Sequence, residues 1–339
     1  MIKIIGKGLT FADVLIPPNY SDITSRDEID ITTDFLGLRL NPIIAAPMDH
    51  VTSLPMITTL ASKKYYGIFH RFGDKDTLRK DIYYTAGIGY PNNFGVAIGV
   101  KDPTTIDWLH SLPPLHAVCV DVAHGDHTLV FSRIRELRAA FPNMHIIAGN
   151  IATAAGYRRL ADAGADAVRV GIGNGSACST RSTTGVGVPQ LTAIMNVVEE
   201  RERTIGPQII ADGGIESSGD IIKSLAAGAD IVMLGKMLAG HDESPGEVIT
   251  VEGKKFKPYR GQSMLGSNGI RNSPEGVAGL VPALGSVVDT LNQLEGWIKS
   301  GLSYVGARDL TSLRRNATFI KVSSATQRES SIRIIREMK

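Results

Sequence analysis

Ala163-Gly-Ala-Asp-Ala-Val-Arg-Val-Gly-Ile-Gly-Asn-Gly-Ser-Ala-Cys178 reads as a helix end, a strand and a glycine-rich loop in succession. Its opening phrase recurs as Ala227-Gly-Ala-Asp230, again ahead of an apolar run, Ile231-Val-Met-Leu-Gly-Lys236. A helix that closes on glycine and passes at once into a short apolar segment is the signature of a helix-to-strand step. Moving outward, eight such runs occupy residues 42–48, 65–71, 94–100, 116–122, 145–151, 166–172, 208–214 and 230–236. Each is continuous in hydrophobicity, as parallel strands covered on both faces should be. Most start-to-start spacings lie between 21 and 29 residues, enough for one strand and one crossover helix. Helical patterning fills the gaps, for example over 153–163 and 217–227. Eight repeats of this unit predict a single closed (β/α)8 barrel over residues 1–339, with a doubly wound open sheet as the alternative. No GxGxxG opens the first helix to favour the open sheet.

A barrel of this kind keeps its chemistry at the carboxyl ends of the strands. Polar and glycine residues collect there: Met48-Asp49, His70-Arg71, Asp121, Gly149-Asn150, Gly171 to Cys178, Asp212-Gly-Gly214 and Gly235-Lys236. Two stretches break the rhythm. The sixth connection is about twenty residues too long for a simple crossover, and it holds the cysteine loop, 171–187. Its glycines let backbone N–H groups converge on an anion, and such dipoles favour a thiolate. A nucleophilic Cys178 and an incidental cysteine in a glycine loop both fit this local sequence. Beyond strand eight, residues 240–285 show no clear period, and 259–281 read as a mobile flap beside the mouth.

Composition narrows the classes. A net charge of +2 argues against a nucleic-acid footprint, and Lys254-Lys-Phe-Lys257 reads as a solvated loop. The two cysteines, Cys119 and Cys178, make no disulfide framework and suit a reducing cytoplasm; Cys119 reads as an inert core residue. No apolar run is long enough for a membrane span, and the N-terminus has no signal-peptide pattern, so a soluble protein is expected.

The ordered set of motifs resembles the IMP dehydrogenase/GMP reductase family. It comprises Leu9-Thr-Phe-Ala-Asp-Val-Leu15, Ile44-Ala-Ala-Pro-Met-Asp49, Ala148-Gly-Asn150, the cysteine loop with Gly185-Val-Gly-Val-Pro-Gln190, Ala211-Asp-Gly-Gly-Ile215, Gly240-His-Asp-Glu-Ser-Pro-Gly-Glu247 and Tyr259-Arg-Gly261. The resemblance implies a purine nucleotide, GMP or IMP, lined by Met48, Ser176, Asp212, Gly213, Gly214, Gly235, Lys236, Tyr259, Gly261, Gln262 and Ser263. Asp212 would take the ribose hydroxyls; by local sequence alone it could instead cap the next helix. Ser176, Gly214, Gly235 and Tyr259 would hold the phosphate. Lys236 departs from the small residue expected there, and would contact phosphate or face solvent. Asp49, Arg71, Asp121, Ala123 and Asn150 would face the dinucleotide. Arg71 stands where the family has lysine; it would bind the extra phosphate of NADPH or pair with a carboxylate.

By the same resemblance Cys178 would attack C2 of the purine to give a thioimidate, with Thr180 and Glu275 as a hydroxyl–carboxylate relay. For Glu275 the bland alternative is an exposed loop carboxylate. Carbonyls of Gly173, Gly175 and Cys178, with Glu329 from a neighbouring chain, would hold potassium in a homotetramer. Two activities share this chemistry: reductive deamination of GMP with NADPH, and oxidation of IMP with NAD. The first is favoured by the missing CBS-type regulatory insert after the second unit, by Thr184 and His241, and above all by the flap. Dehydrogenases activate water with an Arg-Tyr pair; here Asn272 follows Arg271, and no tyrosine lies between Tyr259 and Tyr304. A short flap, Val188 and Arg328-Glu-Ser-Ser331 lean the other way. The expectation is a GMP reductase, with a regulatory-domain-free IMP dehydrogenase as alternative. A flavin (FMN) barrel oxidoreductase or a non-catalytic nucleotide binder are minority readings that leave Cys178 and Thr180 without a task. His124 and His127 lack a third ligand at zinc spacing, and His241-Asp-Glu243 reads as solvated loop.

Overall fold

The computed structural model describes residues 6–89, 93–262, 265–266, 269–270 and 273–330. Eight parallel strands form a closed barrel: β1 (Ile43–Ala45), β2 (Tyr66–Phe69), β3 (Phe94–Ile98), β4 (Ala117–Asp121), β5 (His145–Ile151), β6 (Ala167–Val170), β7 (Gln208–Asp212) and β8 (Ile231–Leu234). All eight fall inside the apolar runs. Closure comes from β8 against β1, in register from Val232↔Ile43 to Leu234↔Ala45, so the open-sheet alternative fails for want of an edge. The crossovers are α1 (Leu54–Ser62), α2 (Lys75–Gly87), α3 (Thr105–His110), α4 (Thr128–Ala140), α5 (Ala154–Ala163), the pair α6 (Thr180–Thr184) and α7 (Gln190–Thr204), and α8 (Ser218–Ala226). The long α9 (Val287–Tyr304) follows β8, then α10 (Leu310–Asn316) and α11 (Ser324–Glu329).

The repeated Ala-Gly-Ala-Asp phrase does the same work twice. Gly164 and Gly228 take left-handed backbone, with φ of 104° and 103°, where each helix stops. The aspartate that follows accepts the amide of the neighbouring strand: Asp166 from Ile146 and Asp230 from Ile209, both at 2.7 Å. Thr153 and Ser217 cap α5 and α8 through their hydroxyls, each worth about 1 kcal/mol.

Strand side chains alternate between two layers. Ile44, Ile68, Ala97, Cys119, Ile147, Ala167, Ile210 and Met233 fill the barrel interior, while Ile43, Phe69, Val96, Val118, Ile146, Val168, Ile209 and Val232 meet the helices. Cys119 is fully buried, and burial pushes its thiol up to about 12, so it is inert. At the floor, an antiparallel hairpin (Thr33–Phe35 with Leu38–Leu40) plugs the barrel with Phe35 and Leu36.

Three sequence expectations are corrected beyond β8. Residues 240–285 are not simply irregular: β9 (Ile249–Val251), β10 (Lys254–Arg260) and β11 (Ala278–Pro282) form an antiparallel sheet. Lys254-Lys-Phe-Lys257 is therefore strand, and Lys257 is buried, its ammonium donating to the carbonyls of His241 and Ser244 at 2.7 Å. His241-Asp-Glu243 is not solvated loop either. His241 is fully buried against the carbonyls of Gly285 and Met237, and the Glu243 carboxylate accepts from Ser286 and the Val287 amide at the start of α9. They read as loop because most of their partners lie 13 to 44 residues away in the sequence. Among the described residues no helix is long and apolar enough to cross a membrane.

Candidate active site

The carboxyl ends of the strands open on a cleft of about 870 Å³ with an adjoining pocket of about 230 Å³. The larger space is lined by Met48, Arg71, Asp121, Ala123, Asn150, Cys178, Thr180, Asp212, Gly213, Tyr259, Gly261 and Gln262. The smaller adds Ser176, Gly214, Gly235 and Lys236, and shares Met48, Asp212, Gly213 and Tyr259. Residues that the resemblance implied for nucleotide and dinucleotide thus line two adjoining hollows. Lys236 is exposed at the rim of the smaller pocket. Close approach requires glycine at Gly171 in the cleft wall and leaves a side chain at Gly235 little room. A Cβ on Gly171, whose φ is 146°, would meet the Asp212 carbonyl at 2.0 Å, and one on Gly235 would lie 3.1 Å from the Tyr259 hydroxyl.

On the loop side, the Cys178 thiol donates to the Thr180 hydroxyl at 3.2 Å, and that hydroxyl donates to the Glu275 carboxylate at 2.8 Å. Glu275 comes from a segment 95 residues away, so the solvated-loop reading of it fails. Backbone bonds align the two segments: Ser179 N–H to the Glu275 carbonyl at 3.2 Å and Val277 N–H to the Ala177 carbonyl at 3.0 Å, flanking a Cys178↔Gly276 bridge. Arg181 staples the loop from beneath, its guanidinium donating to the carbonyls of Ile172 and Val188. This arrangement can move a proton between sulfur and carboxylate through one hydroxyl.

On the strand side, Asp212 ends β7 and does not cap α8; Ser217 does. One of its oxygens, Oδ2, receives the Asn150 amide at 2.7 Å and the Arg169 guanidinium at 2.9 and 3.1 Å. Arg169 also donates to Asp121 Oδ1 at 2.6 Å, and Arg71 reaches Asp121 Oδ2 at 3.3 Å. Arg71 thus has the carboxylate partner that was one of its two readings. Burial would lower the Arg169 pKa, yet the charges of Asp212 and Asp121 outweigh it and hold the guanidinium well above its usual range. The Tyr259 hydroxyl is pushed up by burial, with Ser176 pulling the other way.

Other expected residues stand apart. Asp49 does not line the cleft; it pairs with Arg260 of β10. Gln262 donates to the Pro47 carbonyl. Gly173 and Gly175 lie in the cysteine loop at the cleft wall, the Gly175 carbonyl accepting the Cys178 amide at 3.0 Å. Glu329 is exposed at the end of α11, with no hydrogen bond to that loop among the described residues. Ser263, Arg271 and Asn272 lie outside the described residues. His127 caps α4 and Asp126 pairs with Arg159, and among the described residues no three His, Cys, Asp or Glu side chains gather as a metal site.

Sequence reading missed Arg169, Asn174 and the task of Gln190. Asn174 donates to the Asp212 carbonyl at 3.0 Å, and Gln190 to the Val170 carbonyl at 2.7 Å. A signal for Arg169 existed: a lone charge in an apolar run that is buried on both faces must have partners.

A closed barrel carrying a thiol–hydroxyl–carboxylate chain beside a two-lobed cleft at its strand ends has the layout of a barrel enzyme. The chain belongs to the IMP dehydrogenase / GMP reductase family, whose domain model matches residues 8–333. That family comprises oxidoreductases acting on purine nucleotides. An inosine-5'-monophosphate dehydrogenase of Aquifex aeolicus is 45% identical over 253 residues, covering 70% of this chain and 51% of the relative. One from Streptococcus pyogenes is 49% identical over 229 residues, 63% of this chain and 46% of its own length. In these alignments the chain spans about half the length of the relative. The enzyme of that name from Nitrosopumilus maritimus is 34% identical across 96% of this chain and 98% of its own. That alignment runs to 469 positions against 339 residues here, so the relative carries inserted sequence that this chain lacks.

Proposed function

We propose that this chain catalyses the reductive deamination of GMP to IMP and ammonia with NADPH. The observation that carries the choice is the flap: from Arg260 to Ser303 it has no tyrosine, so it lacks the Arg-Tyr pair that resemblance assigns to water activation. The Cys178–Thr180–Glu275 chain, at 3.2 and 2.8 Å, supports the chemistry. Cys178 passes its proton through Thr180 and its thiolate adds to C2 of the purine; the amine takes a proton from the Thr180–Glu275 pair and leaves as ammonia. A thioimidate remains. NADPH bound in the larger cleft would supply the hydride that C2 takes, after which Cys178 leaves as thiolate to give IMP. Asp212, with Oδ2 held by Arg169 and Asn150, presents Oδ1 to the ribose. Ser176, Gly214, Gly235 and Tyr259 cradle the phosphate in the smaller pocket. The larger cleft, ending at Asp121 and Arg71, has room for a dinucleotide. Carbonyls of Gly173, Gly175 and Cys178, with Glu329 of a second copy, would hold potassium in a homotetramer.

Oxidation of IMP with NAD is the second reading, favoured by the names of the relatives above. Nicotinamide absorbance separates the two. With potassium present, NADPH consumed only with GMP, and ammonia released, is the expected result. NADH formed from IMP and NAD would overturn it.

A further inference from the structure

We propose that Arg169 is the positioning residue that ties the two ends of the cleft together, orienting Asp212 toward the nucleotide and Asp121 toward the dinucleotide. The inference rests on the assignment of those two carboxylates made above.

The geometry is specific to a guanidinium. Ala167 faces the barrel interior, so Arg169, two residues on, points inward at the mouth, as do Asp121 after Cys119 and Asp212 after Ile210. The Arg169 side chain is 6% exposed, and its carboxylate partners 6% and 13%. One edge of the fork, Nε and Nη2, grips Asp212 Oδ2 at 3.1 and 2.9 Å, and Nη1 grips Asp121 Oδ1 at 2.6 Å. A planar cation with fixed donors serves two acceptors at once; a lysine ammonium at the end of a flexible stem does not reproduce that fork. With Oδ2 saturated by Arg169 and Asn150, Asp212 has Oδ1 without a partner among the described residues. Asp121 differs, since Arg71 already touches its second oxygen, at a longer 3.3 Å and from a side chain one-third exposed. The inner contact is the shorter and more buried, the outer one the longer and more exposed.

Stability alone is a poor reason for this arrangement. Buried ion clusters repay little or none of their desolvation cost, and apolar replacements often fold as well. A cation sunk at the mouth with a carboxylate from each lobe has its value in what those carboxylates do.

The test uses the full chain, with GMP and NADP⁺ as probes and dissociation constants from calorimetry. Arg169→Met is expected to weaken each ligand about ten-fold or more. Two double-mutant cycles then locate the effect. In an Asp212→Asn background, Arg169→Met should weaken GMP no further while still weakening NADP⁺. In an Asp121→Asn background the pattern should invert. Losses that multiply in both backgrounds, or affinities that stay at wild-type values while the melting temperature falls, would overturn the role. If Arg169→Met does not fold, Arg169→Lys carries the test: one ammonium satisfies one carboxylate, so the two affinities should fall unequally, and equal losses or none would overturn the proposal. Wild-type protein that binds neither probe would refute the functional reading itself, an outcome distinct from additive cycles in a protein that binds both.

Discussion

The two halves of the cleft are built differently. Arg169, Asp121 and Asp212 stand on β6, β4 and β7, nearly shut off from solvent and aimed by the strand pleat. Cys178 and Glu275 stand on irregular segments and Thr180 opens the short α6, all three half-buried and aligned by a few backbone bonds. The first group is aimed by neighbouring strands of one barrel; the second depends on two segments 95 residues apart meeting. Under the proposed function, recognition sits on the strand-borne half and chemistry on the loop-borne half, a division that lets one barrel support different reactions without rebuilding its binding surface.

Substitutions at each half should separate these properties. The largest effect belongs to Cys178→Ala: turnover should fall by on the order of 10⁴-fold or more, with nucleotide affinity kept within about three-fold. Single-turnover kinetics and calorimetry check both numbers, and a variant that still turns over near the wild-type rate would sink covalent catalysis. Glu275→Gln comes next, with kcat lowered about 10²-fold and KM for nucleotide little changed, read as ammonia release. An unchanged rate would return Glu275 to an ordinary loop carboxylate. Lys257→Met strikes the base of β10, where a buried ammonium serves the carbonyls of His241 and Ser244. Leaving those acceptors unpaired should cost about 2 kcal/mol in chemical denaturation and slow turnover only several-fold. The least effect on catalysis is expected at the barrel floor. His116 is held neutral, burial first among the causes, with its pKa lowered to about 4. It takes the Tyr66 hydroxyl on one nitrogen and faces the Leu36 carbonyl with the other. Below pH 6.5 the unfolded chain gains a proton that the folded chain refuses, so stability should drop as pH falls from about 6.5 to about 4, by on the order of 3 kcal/mol. His116→Gln should flatten that slope in melts across the window and leave turnover at pH 7 unaltered. A lasting acid slope in the variant would assign it to other groups.

Legibility in the sequence follows the same division. The barrel was readable because strands covered on both faces are continuous apolar runs, and because Ala163-Gly-Ala-Asp166 and Ala227-Gly-Ala-Asp230 announce helix ends in plain chemistry. The sheet of β9, β10 and β11 was not. Ile249, Val251 and Leu280 remain exposed, so no clean alternation marks the strands, and the register joins Tyr259 to Gly279 across the whole flap. Thr180 and Glu275 are 95 residues apart, and nothing in their spacing predicts a 2.8 Å contact; only the family resemblance did. Asp49 was selected for its place at a strand end, yet Arg260, from a strand unseen in the sequence, takes it. Arg169 was passed over because one cation inside an apolar run does not say which carboxylates it serves.

The clip between flap and cysteine loop carries a practical corollary. Gly261 N–H bonds the Val277 carbonyl at 3.0 Å, and Val277 N–H bonds the Ala177 carbonyl at 3.0 Å. Entry and exit of the intervening segment are therefore fastened side by side through main-chain atoms, whatever side chains it bears. The stretch between Gln262 and Glu275 can then be exchanged without disturbing either socket. A transplanted version of another length, bearing an arginine and a tyrosine, could be seated between them while Glu275 stays in place, and the barrel beneath would serve as a common chassis for exchanging one reaction for the other.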